Sequence, residues 1–264
     1  MSIKIGVGII TCDRSDYLKK LIKSLDGIST NNLVIINDGE KQLDSGKIFV
    51  QNNIPPKRGI GKAKNQALKL LKDNDYIFLL EDDIIIKDKT VFEKYIEASK
   101  LSGIQHFNFA FHGVDNYLPN GQPAVRLKLD YSPKVSVCLY PNVYGAFSMY
   151  TNKCIEEVGL MDEFYYNAME HVDHTASVIK AGMHPPFRWF ADIADSNKYI
   201  EEIDRAHSGS KIRRDQKWIQ NFHKAADYFA KKFGFDVRNP HTSTASKEET
   251  TNTIKQIKKQ YGQG

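Results

Sequence analysis

The chain has 264 residues, 41% of them hydrophobic, with 37 basic against 32 acidic side chains and a formal charge of +5. That length suits one α/β domain, that apolar content a sizeable core, and no apolar run is long enough to span a bilayer or reads as a signal peptide. The cysteines Cys12, Cys138 and Cys154 are odd in number and widely spaced, which excludes a disulfide framework or a zinc cluster and favours a reducing, cytoplasmic compartment. The mild positive charge permits an anionic partner (a nucleotide, nucleic acid or lipid headgroups) and requires none.

In chain order, residues 4–10 read as a first strand. A polar loop from Thr11 to Asp16 follows, with Ser15 or Asp16 as a helix N-cap. Leu18, Leu21, Ile22 and Leu25 then recur at helical spacing. Residues 33–36 are a second strand, closed by Asn37-Asp38-Gly39, and residues 48–51 a third. After the turn at Arg58-Gly59-Ile60-Gly61, a helix covers 62–71 with Ala63, Ala67, Leu70 and Leu71 inward. Next comes Tyr76-Ile77-Phe78-Leu79-Leu80, an unbroken apolar run that suits a central strand buried on both faces. It ends in three carboxylates, Glu81-Asp82-Asp83. Strands alternating with helices in this way predict a parallel sheet with right-handed crossovers.

Beyond Asp88 the spacing predicts a helix over 90–101 and a strand over 106–112. Asn120-Gly121 signals a hairpin between 114–117 and 124–129. Strands are expected at 135–140, 146–150 and 187–193. Helices are expected at 168–181, ending at Gly182, and at 217–233, with Trp218, Phe222, Ala225, Phe229 and Phe233 on one face. Residues 237–246 read as a polar linker and 247–261 as a basic helix. Mixed strands added to a parallel nucleotide-binding half are where a second substrate is expected.

Ligands of open α/β sheets sit outside the carboxyl ends of the strands, and the acidic triplet falls there. Three adjacent acids repel one another, and a hard divalent cation bound through carboxylate oxygens is the natural counter-charge. A cation with few protein ligands keeps open positions for diphosphate oxygens.

Several segments then match one family in order. Ile9-Ile10-Thr11-Cys12-Asp13-Arg14, Val34-Ile35-Ile36-Asn37-Asp38-Gly39, Arg58 to Asn65 and Glu81-Asp82-Asp83 resemble the nucleotide-sugar motifs of the family 2 glycosyltransferases. Val158 to Phe164, then Glu170-His171-Val172-Asp173 through Lys180-Ala181-Gly182, resemble their acceptor motif. The resemblance spans about residues 3–182. It implies a GT-A fold: a Rossmann-like α/β mixed sheet with a parallel nucleotide-binding half and a mixed acceptor-binding half. One domain is expected over 1–236, with the halves at 1–103 and 104–236, before a linker and basic helix at 237–264.

The resemblance further implies inverting transfer of a sugar from a nucleoside diphosphate sugar, a UDP-sugar above all, to a hydroxyl, with Mn2+ or Mg2+. It makes Asp83 the direct metal ligand, with Glu81 and Asp82 nearer the ribose and metal-bound water. His207 is the first candidate for an added imidazole ligand and His184 the second. Asp38 is expected to accept a hydrogen bond from the base, with Thr11, Cys12 and Arg14 lining the base and diphosphate side. Lys62, Lys64 and Asn65 open a helix whose amides suit anions. His171 stands where the family has an Asp as general base. A neutral imidazole suits that task near pH 7, with Glu170 or Asp173 as alternatives.

Two other classes remain open on the residues: a nucleotidyltransferase, and an inactive sugar-nucleotide-binding module. The acceptor stays open at this point, with a glycan, a glycoconjugate or a modified nucleobase in DNA as the candidates. An aromatic acceptor wall is expected from His106, Phe107, Phe109, Phe111, His112, Tyr117, Tyr140 and Tyr144. The basic clusters at Lys211, Arg213 and Arg214 and at Lys255, Lys258 and Lys259 would suit nucleic acid or a membrane surface.

Overall fold

A computed structural model describes residues 2–28, 30–43, 50–53, 55–203, 217–240 and 244–263. Strand β1 (Ile5–Thr11) is followed by α1 (Ser15–Ser24), β2 (Asn32–Asn37), β3 (Val50–Asn52), α2 (Ile60–Leu70) and β4 (Tyr76–Glu81). The helix α1 begins at Ser15 itself: Arg14 is its cap residue, and neither Ser15 nor Asp16 caps it. The Arg14 guanidinium is drawn instead to Asp82 and Asp83.

These strands pair in parallel, β2 and β4 flanking β1 and β3 outside β2. The order reverses between β1 and β4, so a crevice opens at their carboxyl ends. Strand β4 is buried on both faces: Phe78 and Leu80 join one apolar cluster, Ile77 and Leu79 the other. Helix α2 lies close over β1 because Gly8 has no side chain. A Cβ there would stand 2.9 Å from that of Ala67.

The chain then forms β5 (Ile84–Ile86), α3 (Val91–Ser102), β6 (His106–Asn108), β7 (Leu127–Ser132), β8 (Val135–Tyr140), β9 (Phe147–Thr151) and α4 (Asn152–Val158). Strand β9 runs antiparallel between β4 and β6, which completes a six-stranded sheet of order β3-β2-β1-β4-β9-β6. Two expectations fail here. Strand β6 stops at Asn108, because side chains replace the strand partner: Asp192 accepts from the Ala110 amide and Glu202 from the Gly113 amide. Asn120-Gly121 does turn the chain, with Gly121 at φ +79°. The turn grows into one bridge, Tyr117 to Pro123, and no hairpin. Pro119 and Pro123 have no N–H to extend a ladder. Strand β7 pairs with β8 instead.

The remaining elements are α5 (Glu170–Lys180), β10 (Phe190–Ile193), β11 (Ile200–Glu202), α6 (Trp218–Phe233) and α7 (Lys247–Tyr261). Strand β10 adds to β8. It begins at Phe190, because Arg188 sits at φ +71° in a turn. Strand β11 pairs with β5, and the amide of Ile203 donates to the carbonyl of Asp83 at 2.8 Å. Helix α7 starts on a Ser246–Glu249 capping box and buries Ile254 and Ile257 in the main core.

Buried imidazoles fasten α5 to the sheet. His106 on β6 stacks on Tyr150, with ring centroids 4.3 Å apart, and its Nε2 meets Thr175 of α5 at 3.0 Å. His174 contacts the Gly159 carbonyl at 3.0 Å. Burial pushes His174 and His184 down to about 4. The unfolded chain, with imidazoles near 6.5, therefore binds protons that the folded chain refuses as pH falls from about 6.5 to 4. Asp82 and Asp192, raised by burial to about 7, act in the opposite sense. A paired comparison isolates the histidine effect. The stability advantage of the native chain over His174→Gln, read by urea denaturation, should narrow on going from pH 7 to pH 5. The slope approaches about 1.4 kcal/mol per pH unit.

Candidate functional site

Neighbouring side chains at a strand end point in different directions, and the three acids after Leu80 separate accordingly. Glu81 turns to the Lys64 ammonium at 2.8 Å. Asp82 turns inward, fully buried, to the Thr11 hydroxyl and the Arg14 guanidinium. Asp83 faces Arg14 at 3.2 Å and His112 at 3.4 Å. His112 stands between two carboxylates, since Glu202 lies 3.5 Å from the same Nε2.

Lys64 is 1% exposed and sits in the middle of the arrangement. Its ammonium donates to Glu81 and Glu170 at 2.8 Å each and to the Gly145 carbonyl at 3.2 Å. Burial would lower its pKa, but the two carboxylates outweigh burial and raise it. Glu170 answers in the other direction: burial pushes it up, and Lys64 with His171 pull it well below the usual carboxylate range. Burial pushes Asp82 up to about 7 against the pull of Arg14 and Thr11. Asp83 is driven down, because His112 and Arg14 overcome its burial. Burial opposes the charged form of His112, yet Asp83 and Glu202 raise its pKa.

These groups open on a continuous cleft. One cavity of about 340 Å³ is lined by Thr11, Asp38, Gly59 and Tyr166. A second of about 320 Å³ is lined by Asp83, His112, His171 and Tyr144. Both share Cys12, Arg14, Ile60, Glu81 and Asn167.

Of the residues singled out from sequence, Thr11, Cys12, Arg14, Asp38, Glu81, Asp83, Glu170 and His171 line this cleft. Asp38 takes donors from Asn53, Arg58 and Gly59 at 2.6, 2.8 and 2.9 Å. A carboxylate accepts about four hydrogen bonds, so one position on its Oδ2 is left. His171 is partly exposed, with Nδ1 3.2 Å from Glu170. When Nδ1 carries the proton it donates to that carboxylate, and the Nε2 lone pair is left free to act.

The other singled-out residues lie elsewhere. Asp173 is turned away from the cleft to Tyr165 and Lys232, at 2.8 Å each. Asn65 ties α2 to the backbone of Met161. Lys62 stands at the surface, 4.0 Å from Glu163. Lys64, expected to offer charge to an anion, spends it on two internal carboxylates. His184 is buried, with both ring nitrogens on backbone groups of Pro185 and Ala191. His207, Lys211, Arg213 and Arg214 lie outside the described residues. Of the expected aromatic wall, only His112 and Tyr144 reach the cleft, while Phe107, Phe109, Phe111 and Tyr140 are core.

Sequence reasoning missed Glu202 altogether and read His112 as a sugar-stacking ring. The pairing of β11 with β5 brings Glu202 in from more than a hundred residues away, and no local pattern announces it. Among the described residues no group of three or more His, Cys, Asp and Glu forms a ready metal cage. Asp83 nevertheless presents a buried Oδ1 without a hydrogen-bond partner. An imidazole stands beside it. Oxygen with imidazole nitrogen fits Mn2+, and one or two carboxylates completed by phosphate oxygens is how Mg2+ is commonly held.

The Lys64 bridge makes a prediction about stability. Lys64→Met leaves Glu170 buried beside Glu81 without a cation, and should cost about 3–5 kcal/mol in chemical denaturation.

No family model matches the chain, and no curated protein sequence matches it. Solved structures do match. S. aureus TarS superimposes with a TM-score of 0.53 at 15% identity, over 97% of this chain and 49% of that one. The mannosyltransferase PcManGT from Pyrobaculum calidifontis, in complex with GDP-Man and Mn2+, gives a TM-score of 0.55 at 12% identity, over 96% of this chain and 73% of that one. The chain therefore spans about half the length of TarS. At such identities the likeness is one of fold: this chain has the GT-A fold, the mixed α/β architecture that it shares with TarS and PcManGT.

Proposed function

We propose that the chain is an inverting glycosyltransferase that moves a sugar from a nucleoside diphosphate sugar, a UDP-sugar, to an acceptor hydroxyl. The observation that carries this reading is one cleft holding Asp83 at the end of β4 and His171 at the start of α5. The PcManGT complex, with GDP-Man and Mn2+ in the same fold, supports a nucleotide-sugar donor and a divalent metal. A Gly-rich phosphate loop, which a nucleotidyltransferase would carry after β1, is replaced by Cys12-Asp13-Arg14. The Asp13 carboxylate there accepts from the amides of Glu40 and Lys41.

In this reading Asp38 and Thr11 receive the nucleoside end, where Asp38 has one acceptor position for a base N–H. Arg14 stays charged beside Asp82 and Asp83 and faces the diphosphate. Asp83 and His112 would hold a divalent ion, which would supply Lewis-acid stabilisation of the departing diphosphate. His171 takes the acceptor's hydroxyl proton on Nε2. The acceptor oxygen bonds to the anomeric carbon as the bond from that carbon to the diphosphate oxygen breaks. The electron pair leaves with the nucleoside diphosphate. Glu170 holds the imidazole ring in place and stabilises its protonated form, as Lys64 holds Glu170.

The test is a thermal-shift screen of nucleotides and nucleotide sugars with and without Mn2+, followed by an assay of nucleotide release. A ligand bound only by the folded chain raises its apparent stability. A guanine-selective shift would replace UDP by GDP. A chain that no nucleotide stabilises, or that releases none, is not a glycosyltransferase. Asp83→Asn should remove the Mn2+-dependent part of the shift and lower turnover about 10²–10³-fold. His171→Ala should keep the shift and lower turnover about 10²–10⁴-fold. Near-normal turnover in His171→Ala would move the base elsewhere.

A further inference from the structure

Resting on the transfer reading above, we propose that the acceptor is an uncharged sugar, stacked on Trp218 and Phe222 at the His171 end of the cleft. Trp218 and Phe222 are four residues apart, so they share one face of α6. Their rings stack with centroids 5.7 Å apart and 18° between planes. Both line the cavity that holds His171, Tyr144 and Asp83. The helix beneath them is fixed by Ala225, Ala226 and Phe229, buried against Phe187, Phe190 and Tyr165. The helix that carries the platform is therefore anchored in an apolar cluster.

A pyranose presents C–H groups on its faces and hydroxyls around its edge. An aromatic pair takes the face, and His171 with the neighbouring carboxylates takes the edge. The charges select among acceptors. Among the described residues, this cavity has the carboxylates of Glu81, Asp83 and Glu170 against the Arg14 guanidinium, which already serves Asp82 and Asp83, and the His112 imidazole, which stands between Asp83 and Glu202. Lys64 lies behind and is saturated by Glu81 and Glu170. With the charge of a divalent ion at Asp83 taken up by the donor diphosphate, a phosphorylated acceptor or a nucleic acid strand would find, among the described residues, no cation beside the platform that is not already paired.

The chain has two tryptophans. Trp189 is 7% exposed, with its indole N–H bonded to the Ala245 carbonyl at 2.8 Å. A fluorescence change on adding sugar therefore reports Trp218. The experiment titrates the full chain, with UDP and Mn2+ present, with cellobiose, xylobiose and chitobiose, with ribitol 5-phosphate, and with a single-stranded DNA oligonucleotide. The expected result is saturable quenching by at least one neutral disaccharide, retained in Trp189→Phe and lost in Trp218→Phe. Phe222→Ala should weaken that affinity about tenfold while the UDP-dependent thermal shift persists. Quenching by ribitol 5-phosphate or DNA in preference to the neutral sugars overturns the proposal, as does the absence of any response to the neutral sugars. Quenching by neutral sugars without turnover of any nucleotide sugar sinks the transfer reading and leaves the sugar subsite. Turnover without quenching does the reverse.

Discussion

One buried ammonium holds the two halves of this site in register. Lys64 comes from α2, in the parallel half of the molecule. Its partners come from the end of β4, from the Gly145 turn before β9 and from the first residue of α5. Such a cation carries a large desolvation penalty, which only close and complete partnering offsets. Two carboxylates at 2.8 Å supply that partnering. The distance across the cleft is thus fixed by an ion triad under its floor, and surface loops have little say in it.

The triad also sorts the acids by task. Glu170 stands directly before the imidazole of His171, but it is committed to Lys64 and held in its ionised form. It is suited to orienting and stabilising a neighbour, and ill suited to accepting a proton. Asp82 is withdrawn by Thr11 and Arg14 to brace the loop after β1. Asp83 alone of the triplet turns an oxygen without a hydrogen-bond partner toward an imidazole. Three identical functional groups in a row thus acquire different work from the side of the strand on which each emerges.

Much of the fold was legible because its signals are local. The unbroken run ending at Leu80, the helix periods of α1 and α2, where of the expected inward residues only Leu70 is half exposed, and the Gly182 stop are set by neighbouring residues, and sequence carries them directly. Helix α7 was legible to its bounds, because the apolar stripe of Ile254, Ile257 and Tyr261 is short-range, while its Ser246 cap passed as part of the linker. The candidate site was legible as a set of motifs, but not in orientation. Periodicity says that Asp173 lies on a helix face; it does not say that Lys232, 59 residues further along the chain, will claim its carboxylate. The same holds for Asn120-Gly121, where the turn formed and its prolines denied it a ladder. His112 and Glu202 meet only through the β5–β11 pairing, a contact with no local signature.

Gly145 carries a consequence of its own. A methyl group placed there would come within 2.9 Å of both the His171 ring nitrogen and the Lys64 ammonium. The smallest possible side chain would thus press between the His171 ring and the ammonium that steadies Glu170 beside it. An alanine at this position would displace both side chains while leaving each of them present. The spacing of the cleft depends at that point on empty space, and it is set by a residue with nothing to donate or accept beyond its backbone.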